Sequence, residues 1–297
     1  MTTRAAVEAG PQTAPEAHAP TSGHDQSPTV VIDASANWRR WLHDLYVYRG
    51  ALQSLAWRNI RSRYKQAWLG MSWALLQPAV QTGVFTLLFG VIARVPSGDV
   101  PYPVFALAGL LSWNLFAKIV NDGAISLVTN QHIIGKLFFP RLYLVLASGA
   151  SALIDAAVTS VLLLTAMLVL DVPIAASAWL AIPLLLGLLV FCFGFAALLA
   201  AINARWRDVQ HTLPLLLQVG LFVTPVLYRN TFIPERWRWV LFYNPLTGFV
   251  ESLRASVLGL PLPGADVLVP SFGVALVLVV LGVWYFTRTE ATIVDVV

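Results

Sequence analysis

Charge is scarce in this sequence, at 11% of 297 residues. A soluble globular domain carries about 25%, so an ordinary soluble fold is excluded. Cysteine is scarcer still. Cys192 stands alone, which excludes an internal disulfide and any cysteine-based metal cluster. Catalytic and metal signatures are missing as well: there is no H-E-x-x-H helix and no pair of carboxylates in a plausible cytosolic loop. Gly135 and Lys136 have neither the glycine-rich run before them nor the Ser or Thr after them that a phosphate loop needs. The sequence therefore offers no catalytic site, no metal site and no ATP hydrolysis of its own, and it calls for no cofactor within the chain. A formal charge of +4 invites a nucleic-acid partner, but the cations sit at the ends of apolar runs and form no basic stripe, so nucleic acid is not expected.

What is present is hydrophobic length. Hydrophobic residues make up 58% of the chain, and the mean hydropathy is +0.71. Apolar segments fall near residues 69–92, 104–127, 142–170, 178–202, 212–228 and 267–287. Each approaches or exceeds the roughly 17–25 residues of a membrane span, the fifth being the shortest. The expected fold class is an all-α integral membrane protein with six transmembrane helices, its membrane domain filling residues 67–297. Placing both termini in the cytosol puts Arg4, Arg39, Arg40, Arg49, Arg58, Arg61, Arg63, Lys65, Lys136, Arg141, Arg205, Arg207 and Arg288 inside. Only Arg94, Arg229, Arg236, Arg238 and Arg254 then fall outside, as the positive-inside rule requires.

Residues 1–36 are rich in Ala, Pro, Thr and Ser and have no apolar h-region, so they read as a disordered cytosolic tail without a signal peptide. Residues 37–66 follow as an amphipathic helix. Trp38, Trp41, Leu45, Tyr48, Leu52 and Leu55 recur three or four apart, a stripe suited to lying in the membrane interface. Its end is basic. Arg58, Arg61 and Lys65 share one helical face with Arg63 beside them, an arrangement that suits orientation and lipid headgroups as well as the phosphates of a substrate. Within the spans, Asp155 and the Lys118 and Asp122 pair at i,i+4 are the ionisable groups to explain.

Two connections differ from simple loops. Residues 130–140 read as a short helix across the cytosolic surface, stopped by Pro140. Residues 229–265 are broken by prolines yet carry Trp237, Trp239 and Tyr243, with Tyr228 just before. Such a stretch suits re-entrant half-helices before the last span, and its aromatics suit either sugar stacking or an interfacial belt. Glu251 and Arg254, three apart, are expected to form a structural pair.

Several short motifs occur in a telling order. Tyr64, Lys65 and Gln66 precede Leu69 and Gly70, and then Trp73 through Pro78 reads WALLQP. Phe139, Pro140 and Arg141 come later, followed by Arg207, Asp208 and Val209 and by Asn244 through Thr247, NPLT. Together they resemble the ABC-2 type permeases that export O-antigen, teichoic acid and related polysaccharides, from about Trp38 to the end. The resemblance implies a permease subunit working as a homodimer with two copies of an ABC ATPase subunit, which binds the ATP and Mg. It implies a polyprenyl-pyrophosphate-linked glycan as substrate and the bacterial inner membrane as location. It makes residues 130–140 the coupling helix, with Asn130, His132, Lys136, Phe139 and Arg141 at the ATPase contact. Arg58, Arg61, Arg63 and Lys65 then suit the pyrophosphate, and Tyr228, Trp237, Trp239 and Tyr243 the emerging glycan. The alternatives are a membrane enzyme acting on polyprenyl-linked sugars and a secondary carrier. The first needs more cytosolic acids than are present, and the second a repeat that is not evident.

Overall fold

The computed structural model describes residues 46–65, 72–134 and 139–290, with only the backbone at Tyr64 and Lys65. The tail expected over 1–36, the start of the amphipathic helix, Leu69, Gly70 and Lys136 lie outside the described residues. Every regular element described is helical.

The first helix, α1 (Arg49–Lys65), leads to α2 (Ser72–Phe85), which continues as a π-helical stretch over Thr86–Ile92. Next come α3 (Tyr102–Thr129), the single turn α4 (Gln131–Ile134), α5 (Leu142–Ser148) and α6 (Ala150–Val169). The remainder is α7 (Ala181–Arg205), α8 (Val209–Val223), α9 (Arg238–Phe242), α10 (Pro245–Leu258) and α11 (Ala265–Thr289). Among the described residues, five segments are long and apolar enough to cross a membrane: Ser72–Ile92, Tyr102–Thr129, Leu142–Val169, Ala176–Arg205 and Ala265–Thr289. Helix α8 has 15 residues, about 22 Å at 1.5 Å per residue, against a hydrocarbon core of about 30 Å. Thr224 to Tyr228, expected to prolong it, turn away in non-helical backbone.

The helix at the centre is α3, with 78% of its most apolar stretch buried where the first span has 11%. Pro101 and Pro103 start it, where a missing N–H costs nothing. Its flanks pack on α6, α7 and α10. Phe116 stacks on Phe191 of α7 at 5.7 Å between centroids, Phe191 on Phe249 of α10 at 6.0 Å, and Phe249 meets Phe272 of α11 edge-on at 4.8 Å. Lipid supplies no hydrophobic drive between helices, so close approach depends on small residues. Gly123 leaves room for Ala196, at 2.7 Å from where its Cβ would stand. At the α7 and α11 crossing, a Cβ on Gly282 would run into the Gly194 carbonyl oxygen. Gly282→Val is therefore expected to separate the two helices at a cost of about 3 kcal/mol or more. The check is a lowered thermal midpoint in detergent together with reduced accumulation in the membrane.

Helix α10 is short yet largely buried. Its start explains the NPLT motif. Asn244 caps it by accepting the Leu246 N–H at 2.9 Å, Pro245 occupies the first turn, and Leu246 and Thr247 are buried. Ser271 of α11 accepts the Gly248 N–H at 2.8 Å and donates to the Asn244 carbonyl at 2.9 Å. Gly259, at φ +68°, ends the helix in the left-handed region that favours glycine.

Candidate functional site

Helix α1 lies against α5 and α6. Leu52, Leu55, Asn59 and Arg63 recur on its half-buried side, with Tyr48 half-buried just before it, while Ser54, Trp57, Arg58, Arg61 and Ser62 are exposed. Of the stripe predicted for the interface, Trp38, Trp41 and Leu45 lie outside the described residues, while Tyr48, Leu52 and Leu55 are half-buried and Leu55 packs against the core. Polar groups fix the contact. The Asn59 amide donates to the Ala147 carbonyl at 3.1 Å, and Arg63 pairs with Asp155 of α6 at 2.8 Å and approaches Ser151 at 3.4 Å.

The basic cluster therefore divides. Arg63 is turned into the bundle. Arg58 donates to the Asn130 side-chain oxygen at 2.6 Å, reaching the end of α3. Arg61 remains exposed over the Trp57 ring at 5.7 Å. Lys118 and Asp122 meet at 2.5 Å on α3.

The connection between α3 and α5 is held at both ends. Asn130 closes α3, its amide donating to the Ser126 carbonyl at 2.8 Å, while it accepts from Arg58. At the far end the Arg141 N–H donates to Glu290 at 2.8 Å, just beyond α11. His132 is exposed and Phe139 is half-buried against the core. Burial raises the Glu290 carboxyl above its ordinary range, opposed by the Arg141 N–H and guanidinium. A raised folded-state value means that this group stabilises the fold fully below the ordinary carboxylate range and loses that contribution as pH rises through the raised value. Glu290→Gln keeps an acceptor without the charge, so its thermal midpoint is expected to match or exceed the parent's at pH 8. The advantage should vanish toward pH 4.

On the opposite end of the bundle, Trp237, Trp239 and Tyr243 are more than half exposed. Tyr228 is half-buried. Its hydroxyl lies 3.0 Å from the carbonyls of both Phe222 and Val223, and its single proton is shared between these acceptors at the end of α8. Glu251 and Arg254 act electrostatically on one another, but their hydrogen bonds go elsewhere. Glu251 accepts from the backbone and side-chain nitrogens of Asn230 at 3.1 and 3.0 Å. Burial raises its carboxyl, against those two donors and the charges of Arg254 and Arg229. Arg254 is 3% exposed. Its guanidinium donates to the Pro225 carbonyl at 3.1 Å and to that of Val226, and it lies 3.9 Å over the Phe105 ring. Gly109 provides the space, since a Cβ there would meet both the guanidinium and the Val226 carbonyl.

Asn203 was not among the residues singled out from the sequence. It is fully buried in α7, donates to the Ala124 carbonyl of α3 at 3.1 Å and accepts the Gln210 N–H of α8 at 3.2 Å. An amide inside an otherwise apolar span was the available signal. Among the described residues, no three His, Cys, Asp or Glu side chains converge as a metal ion would require.

These features define the class: an all-α, multi-pass integral membrane protein whose polar groups gather between its helices and at their ends. Residues 50–258 match the family described as ABC-2 type transporter, and the chain belongs to that family. It is 33% identical over 249 residues to the O-antigen export system permease protein RfbA of Myxococcus xanthus, covering 80% of this chain and 92% of the relative. A protein of the same description from Klebsiella pneumoniae is 28% identical over 66% of this chain and 76% of its own length. The polysialic acid transport protein KpsM of Escherichia coli is 24% identical, over 71% and 83%.

Proposed function

We propose that this chain is the membrane subunit of an ATP-driven exporter that carries a polyprenyl-pyrophosphate-linked polysaccharide across the bacterial inner membrane. The observation that carries the reading is the relationship, along most of both chains, to a permease named for O-antigen export. Two copies form the pathway, and two ABC ATPase subunits, which hold ATP and Mg, press on residues 130–140 from the cytosol. Both termini are cytosolic, α8 completes six crossings, and the segment from Arg229 to α10 lies at the outer mouth. Membrane lipids surround the first span, whose apolar side chains such as Leu75, Leu87 and Val91 are exposed.

Arg61, exposed on α1, and Lys65 form the part of the basic cluster that meets the pyrophosphate at the cytosolic surface, where charge-assisted hydrogen bonds to phosphate oxygens are strong. Arg58 and Arg63 support that surface by fixing α1 to the bundle. Trp237, Trp239 and Tyr243 offer exposed ring faces to the departing glycan.

The first experiment is purification of the tagged chain from its own membranes in mild detergent. A stoichiometric ATP-binding subunit with vanadate-sensitive hydrolysis supports the reading. Isolation of the chain alone under several detergents overturns it. The cytosolic site has its own test: reversing both charges in Arg61→Glu with Lys65→Glu is expected to abolish surface glycan while the ATPase subunit still co-purifies. Unchanged export removes these residues from substrate handling.

A further inference from the structure

A cavity of about 300 Å³ lies among α1, α2, α3, α6 and α8, at the small end of the roughly 300–1,000 Å³ typical of small-ligand sites. One stripe of α3 lines it: Asn114, Lys118, Asn121 and Asp122, spaced so that they share a face. Arg63 and Asp155 bring the second ion pair to the wall, and Gln77 of α2 adds another amide. Pro78, Leu115 and Pro214 supply apolar surface. Charged groups at membrane depth are costly, and they persist where they pair or line a path.

The chemistry of the lining selects its ligand. Arg63 has Asp155 at 2.8 Å and Lys118 has Asp122 at 2.5 Å, so the two cations are matched by two carboxylates. A phosphate entering here would meet both acids and would have to displace one from its cation. A neutral polyhydroxylated ligand meets no such opposition. Each sugar hydroxyl both donates and accepts, carboxylate oxygens take several donors, and an ammonium offers three. The Asn114 amide donates to Gln81 at 3.0 Å and that of Asn121 to Asp122 at 3.3 Å, leaving carbonyl oxygens as acceptors. Apolar prolines and leucines suit the C–H faces of a pyranose.

We propose that this cavity is a saccharide subsite, holding one neutral sugar unit of the exported glycan within the membrane domain. The inference rests on the polysaccharide-export reading and deepens it. It separates two recognition tasks: the phosphates stay with Arg61 and Lys65 at the surface, and the cavity takes the sugar. It also gives the permease a place to discriminate between glycans, since hydrogen bonds to hydroxyls left unmet by the wrong epimer are costly to bury.

The test is cysteine protection in native membranes. Cys192, the only native cysteine, is fully buried and stays silent. Asn121→Cys is placed in the chromosomal copy, and its rate of labelling by N-ethylmaleimide is followed in three preparations. One contains the lipid-linked glycan. Another comes from cells blocked before the first sugar is attached, and a third is the blocked membrane supplied with polyprenyl pyrophosphate bearing no sugar. Labelling is expected to slow about threefold with the glycan, as two-thirds occupancy would give, and to be unchanged with the bare lipid. Equal slowing by the bare lipid would assign the cavity to the headgroup and overturn the proposal. So would an unchanged rate with both, in a strain where deleting this chain strips the surface glycan. A deletion that leaves the surface glycan intact is the failure of the export reading itself. Should Asn121→Cys fail to accumulate, Asn114→Cys on the same stripe serves for the same comparison.

Discussion

Arg254→Ala is expected to remove most of the folded protein from the membrane. The guanidinium is the donor for two backbone carbonyls at the break after α8, and it fills the space between Phe105 and Gly109. Truncation orphans both carbonyls, at about 1–3 kcal/mol each, and leaves a cavity besides. A total of about 4 kcal/mol is a large part of the 5–15 kcal/mol that holds an ordinary domain folded. Arg254→Lys keeps one charge but loses the planar fork, so it should recover only part of the loss. Thermal unfolding in detergent, read against the parent, gives the ranking. A midpoint for Arg254→Ala within a degree or two of the parent would show that the carbonyls find other donors.

The second large effect is expected at the Arg63 and Asp155 pair, which ties α1 to α6. Asp155→Arg sets two guanidiniums side by side, and α1 loses its ion pair to α6. Both side chains are less than a third exposed, so the cost is expected to be about 2–3 kcal/mol, below the 3–5 kcal/mol of a wholly buried pair. If Arg61 handles substrate as proposed, glycan export should fall at least as sharply, since α1 carries it. The exchanged protein, Arg63→Asp with Asp155→Arg, restores the attraction and is expected to recover stability. Recovery of stability without recovery of export would show that a cation is needed at position 63 itself. Failure to recover either would show that the pair's orientation matters more than its charge.

The long apolar runs gave away the bundle because membrane burial demands about 20 residues of low polarity, a signal that survives without any partner. The Lys118 and Asp122 pair was legible for a similar reason: spacing on one helix fixes which side chains meet. Contacts between helices were not. Nothing in the periodicity of α1 distinguishes a stripe facing lipid from one facing α5 and α6, since both are apolar. Glu251 and Arg254 satisfy the i,i+3 rule, yet Asn230 and the Pro225 and Val226 carbonyls compete for them from chain segments that the spacing does not mention. Tyr228 neighbours the exposed aromatics in sequence, but no spacing announces that its hydroxyl reaches the open carbonyls at the end of α8. Those carbonyls exist because the helix stops early, at Val223.

The segment from Asn130 to Arg141 is moored at each end to a different helix, to α1 through Arg58 and to α11 through Glu290. Neither end is therefore an independent hinge: Asn130 cannot shift without straining its bond to α1, nor Arg141 without straining its bond to the residue that follows α11, so the two ends of the chain's described fold share these two anchors.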